Sequence, residues 1–194
     1  MILTSSNISQ INSQVPKLAR GQVQKQFASA FQKVKNKMIA EFLNHPVTLE
    51  IKGGISSSNI SGTLGGATNL FSFIGFDSGS DPIDPIEKLL YSTNFRFIRT
   101  TRNSVEFEID IPEAAEIFSV TPMPWAPGRS WAKGIETGIS GLGYYLKVNR
   151  DNSRSGLGIQ SSKRVRRSGS RFKNTQYISA LIKKYQKEFA NLQL

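Results

Sequence analysis

Glu106, Glu108 and Asp110 recur at every second position, so on a strand their carboxylates share one face, where they could hold a hard cation. The alternation with Val105, Phe107, Ile109 and Ile111 explains the same residues as the solvated side of a half-buried strand. An enzyme acting on cell wall or nucleic acid would need Glu106 and Asp110 to converge on a substrate. Asp77, Asp81, Asp84 and Glu87 lack calcium-loop spacing, and two of the aspartates precede prolines, where they cap turns. The single histidine, His45, lies in Asn44-His45-Pro46, a helix-stopping tripeptide. With one histidine and no cysteine, the chain cannot build a thiolate or polyhistidine metal site, a disulfide or a Cys–His pair.

Two glycine clusters invite a phosphate reading and fail it. Gly62-Thr63-Leu64-Gly65-Gly66 lacks the Gly-Lys-Ser/Thr ending by which a phosphate loop reaches phosphates and magnesium. Gly138-Ile139-Ser140-Gly141-Leu142-Gly143 has the wrong glycine order for a dinucleotide turn and precedes a predicted strand. No catalytic residue, cofactor or metal is therefore expected.

The remaining candidates are basic. Arg150, Arg154, Lys163, Arg164, Arg166, Arg167, Arg171 and Lys173 fall in a serine- and glycine-rich loop at about 150–173. Such a loop can contact phosphates, face another subunit or stand in solvent, because a charge run alone specifies little. Upstream, Trp125 and Trp131 flank the turn Pro127-Gly128-Arg129. Trp131 pairs with Ile135 at helical spacing and is expected in the core. Arg129 is expected as an interface anchor.

Net charge is +11 and unevenly placed: residues 1–50 hold six basic and two acidic groups, 51–120 five and nine, and 121–194 fourteen and three. A basic pole of this kind suits nucleic acid, or the acidic pole of a neighbouring copy in a head-to-tail ring. The opening residues show no basic region followed by an apolar stretch, so a secretory leader is not expected, and no run suits a membrane span.

Residues 1–14, rich in Ser, Asn and Gln, read as a flexible arm, and 15–194 as one α+β domain. Val23, Phe27, Phe31, Val34, Met38 and Phe42 step by three or four, which predicts a long helix from Pro16 to Phe42. Val47, Leu49 and Ile51 alternate like a short strand broken by Gly53-Gly54, and a surface loop follows. Leu70 to Phe76 forms an apolar cluster in need of a cover. Asp84-Pro85-Ile86-Glu87 has a capping-box pattern before a short helix ending near Tyr91. Phe95 and Phe97, a turn at Thr100–Asn103, and Val105 to Ile111 make a hairpin. Pro112 starts a short helical turn, and Tyr144, Leu146 and Val148 suggest a further strand. Ile178, Leu181, Ile182, Tyr185 and Phe189 predict a C-terminal helix. The expected fold is α+β: a long N-terminal helix, a small antiparallel sheet with a hairpin, and a C-terminal helix.

Several blocks resemble the neck or tail-completion proteins of tailed bacteriophages. They are Asn44-His-Pro-Val-Thr, Ser61-Gly-Thr-Leu-Gly-Gly, Asn69-Leu-Phe-Ser-Phe-Ile-Gly-Phe76 and Pro124-Trp-Ala-Pro-Gly-Arg-Ser-Trp131. Gly138 to Tyr145, Ser155-Gly-Leu-Gly-Ile-Gln160 and Arg171 to Ile178 extend the likeness over most of the chain from residue 15. The resemblance implies a virion subunit without catalytic residues, assembled in host cytoplasm as a homo-oligomeric ring at the head–tail junction. Its neighbours would be junction proteins on the portal or adaptor side and on the tail side, with channel DNA as a further contact. Related folds occupy the connector, stopper, tail-completion and tail-terminator levels. The alternative from the residues alone is a basic nucleic-acid-binding protein using the 150–173 loop.

Overall fold

A computed structural model describes residues 17–64, 68–100, 105–138, 146–147, 159–160 and 172–192. The predicted long helix is α1, Lys17–Leu43. It buries Val23, Phe27, Phe31, Met38, Ile39 and Phe42 along one side, as its 3.6-residue period requires. Asn44 ends it by donating its side-chain amide to the Ala40 carbonyl at 2.8 Å.

The stretch expected as a strand is instead a second helix, α2, Pro46–Lys52. Three alternating apolar residues also fit a helix when the buried set is Val47, Thr48, Glu50 and Ile51, leaving Leu49 exposed. Pro46 both stops α1 and starts α2, since a first-turn proline has no N–H to leave unsatisfied. His45 caps α2, its Nδ1 accepting from Val47 N at 3.3 Å. A 3-10 turn at Gly54–Ser56 leads into the surface loop. The apolar cluster at 70–76 contains α3, Leu70–Ile74, capped by Asn69 and closed by Gly75 at φ 84°. Only a residue tolerant of the left-handed region suits that last position.

Helix α4, Asp84–Ser92, starts one residue earlier than the capping-box reading requires. Asp84 is its first residue and pairs with Lys88, while the Asp81 carboxylate accepts from the N–H groups of Ile83 and Asp84. The expected box therefore does not form there. A capping box does form at α5, Ala114–Ser119, between Glu113 and Glu116.

Strands β1, Asn94–Thr100, and β2, Val105–Asp110, make the predicted antiparallel hairpin, with an irregularity between Phe97 and Arg99. Its inner face lies on α1: Phe107 stacks on Phe27 at 4.0 Å, and Phe95 packs edge-on to the same ring at 5.0 Å. Next come a tight hairpin of β3, Pro122–Met123, and β4, Ala126–Ser130, then α6, Trp131–Thr137. Strands β5, Leu146–Lys147, and β6, Ile159–Gln160, pair antiparallel; Tyr144 and Val148 of the predicted strand lie outside the described residues.

The final helix, α7, Ile178–Ala190, buries all five residues of the predicted stripe. It runs antiparallel to α1. Tyr177 meets Phe42, Tyr185 and Lys184 meet Glu41, Glu188 meets Lys37, and Phe189 meets Phe31. Among the described residues, no helix is long and apolar enough to cross a membrane.

Candidate functional site at the roots of the basic segment

Of the basic residues singled out by sequence, Arg129 and Lys173 are described, and both are exposed. Arg150, Arg154, Lys163, Arg164, Arg166, Arg167 and Arg171 lie outside the described residues, as does the N-terminal segment 1–14. Arg129 sits on β4, in the hairpin that delivers Trp131 to the core. That hairpin is held by Trp131 N donating to Thr121 O at 2.8 Å and by a 2.7 Å bond between the Thr121 and Ser130 hydroxyls. Trp131 is buried against Phe76 and Tyr177, as its pairing with Ile135 predicts. Trp125 is half-buried and donates its indole N–H to the Ile74 carbonyl at 2.9 Å, satisfying an end of α3.

Residues 139–171 carry eight basic side chains and one acidic, hence seven of the protein's eleven net positive charges. This segment is flanked by the described residues Gly138 and Phe172, and these two roots are neighbours. A methyl group added at Gly138 would lie 3.5 Å from Asn174 Oδ1. Thr175 N donates to Ile135 O at 3.0 Å, tying the returning chain to α6. Lys173 N donates to Thr63 O at 2.9 Å, tying it to the surface loop. Phe172 stacks on Phe73 at 6.0 Å. Between the roots, β5 and β6 pair antiparallel.

Two buried or bridging carboxylates fix these roots, and neither was legible as functional. Glu50 is fully buried; Oε2 accepts from Ser61 N and Oε1 from Leu70 N, both at 2.7 Å. It thereby folds the Gly/Ser loop into the support that receives Lys173. Glu136 of α6 accepts from Ser179 N at 2.7 Å and Ser179 Oγ at 2.6 Å, capping the first turn of α7. The one available signal for Glu50 was its position three residues after Val47, one turn along a helix. For Glu136, nothing local pointed to a partner on another helix.

Two of the three acidic residues with apparent chemical spacing are occupied structurally. Glu108 pairs with Arg96 and Glu106 with Arg99, the latter bond at 2.7 Å, each directly across the hairpin. Among the described residues, no three His, Cys, Asp or Glu side chains gather where they could hold a metal ion. Tyr177 is buried, its hydroxyl 2.8 Å from that of Thr48, and burial pushes it well above the ordinary phenol range. Tyr185 is likewise pushed up, by burial and then by its bond to Glu41. Hydrogen bonds from Lys184 and then Tyr185 hold the Glu41 carboxyl below its usual value. The Glu41 carboxyl of α1 and the Tyr185 hydroxyl of α7 perturb one another where the two helices meet.

What the arrangement can do is present charge. A close-packed body holds both flanks of a strongly basic sequence segment, with Arg129 exposed on β4. No family model, curated protein or solved structure matches this chain.

Proposed function

We propose that this chain is a structural subunit of the head–tail neck of a tailed bacteriophage, acting through protein–protein interfaces in an oligomeric ring. The motif blocks that resemble neck and tail-completion proteins support this reading. The observation that carries it is the basic segment 139–171, rooted at two adjacent, hydrogen-bonded points of the body. Clamped roots let a subunit present one charged segment to a neighbour while its core stays unchanged. The proposal gives the chain no catalytic role and no cofactor.

The test is the oligomeric state, by sedimentation and native mass, of the wild type and of a variant with Lys163, Arg164, Arg166 and Arg167 changed to Ser. The wild type is expected to form a ring or to enter a particle. The variant is expected to unfold as cooperatively as the wild type but to fail in assembly. A monomer that shifts duplex DNA with steep salt dependence would replace this reading with that of a nucleic-acid-binding protein.

A further inference from the structure

A second surface lies at the opposite end of α7 from the basic segment's roots. Helix α7 has 13 residues and so spans about 20 Å. Its C-terminal end and the middle of α1 enclose an open groove of about 670 Å³. Half-buried Ala30, Val34 and Leu192 supply its apolar lining, while Gln26, Lys33 and Lys187 stand exposed around it. Lys33 and Lys187 form no ion pair among the described residues, whereas the groove's one carboxylate, Glu188, is neutralised by Lys37 at 3.0 Å.

We propose that this groove receives an acidic amphipathic helix of another protein, its aliphatic side chains on Ala30, Val34 and Leu192 and its carboxylates on Lys33 and Lys187. An apolar lining between two helices is the usual receptor for a helix's apolar face. A nucleic-acid backbone would gain nothing from it. The two unpaired lysines set the sign of the partner's charge.

A second copy of this chain is a poor occupant, because its described carboxylates are largely engaged. Glu41 holds Lys184 and Tyr185, Glu50 is buried, and Glu87, Glu106 and Glu108 pair with Lys52, Arg99 and Arg96. The proposal deepens the reading of the chain as an assembly subunit and rests on it. The two fail separately, since ring formation is tested on the basic segment and this groove by peptide binding.

The experiment titrates the isotope-labelled full chain with a synthetic helical peptide bearing a leucine stripe flanked by glutamates. A control peptide has lysine in place of glutamate. Amide shifts confined to 26–34 and 187–192, with no binding of the control, are expected. The double variant Lys33→Glu, Lys187→Glu should keep the wild-type unfolding temperature, since both side chains are exposed, and lose about tenfold or more in affinity. Failure of the acidic peptide to bind, shifts elsewhere, equal binding of the lysine peptide, or unchanged affinity in the double variant would overturn the proposal. So would a short DNA duplex that displaces the peptide from these amides. Self-association abolished by the same double variant would reassign the groove to contact between copies.

Discussion

The His45 and Tyr177 rings lie 4.9 Å apart, centroid to centroid, and close the corner where the α1–α2 junction meets the start of α7. His45 belongs to this corner as a structural residue: Nδ1 accepts from Val47 N and so must be unprotonated. Burial lowers its pKa, countered in part by the Gln176 backbone and by the Glu41 charge.

A pH dependence follows. The folded-state pKa of His45 is below its unfolded value of about 6.5, so its contribution is complete above that pH. As pH falls below it, the unfolded chain binds the proton first and stability declines. Thermal unfolding followed from about pH 7.5 to about pH 5 should show a decline in the wild type. His45→Asn keeps a capping acceptor without a titrating ring and should flatten it. Equal slopes in both proteins would remove His45 as the cause.

The Glu50 carboxylate offers a sharper test of what holds the basic segment's returning root. Glu50→Gln replaces one of two buried acceptors with a donor facing a backbone N–H. A loss of about 2 kcal/mol in unfolding free energy is expected by denaturant titration. Hydrogen exchange at Ser61 and Lys173 should rise more than at Phe107, because the loss begins in the loop. A uniform rise would mean that the loop and the core open together.

These two residues also mark where sequence reading succeeds and fails. Phe27, Phe31, Phe42 and the stripe from Ile178 to Phe189 recur at helical spacing over several turns, so both long helices are legible. Val105, Phe107 and Ile109 alternate over a full strand and announce the hairpin. Helix α2 has seven residues, too few to separate a period of 2 from one of 3.6, and β-branched Val47 and Ile51 favour the wrong choice. Its true signal was Pro46, read as a stop and not as a start. Glu50 stayed hidden because its partners are backbone groups 11 and 20 positions away, which carry no side-chain signature. The basic segment was plain from composition, whereas the closeness of its roots depends on Ile135, Thr63 and Thr175 meeting in three dimensions.

Thr93 should be improvable. It is 1% exposed, and its hydroxyl has no hydrogen-bond partner among the described residues. Its carbonyl accepts from Lys35 Nζ at 2.7 Å and its N–H donates to Leu90 O, neither of which needs the side chain. Thr93→Val keeps the shape and removes a buried unpaired polar atom, so a gain of about 1 kcal/mol is expected in chemical denaturation. A loss would reveal a bound water serving the hydroxyl.

The adjacency of Gly138 and Asn174 leads to the strongest statement about the architecture. If the body between Lys17 and Leu192 is complete without the basic segment, replacing 140–171 with a short Gly-Ser linker should leave it folded. The linker has little distance to bridge, and the Thr175–Ile135 and Lys173–Thr63 bonds remain available to hold the returning chain. Loop closure becomes easier, by about 1.5 kcal/mol for a linker of about six residues, because closure entropy scales with the logarithm of loop length. Net charge falls from +11 by seven, reducing self-repulsion in the body. The variant should therefore unfold cooperatively at or above the wild-type temperature and, on the proposed ring reading, remain monomeric where the wild type is expected to assemble. Loss of cooperative unfolding would make the excised residues part of the core. Retained assembly would place the ring contacts on the body, with Arg129 on β4 the first residue to substitute.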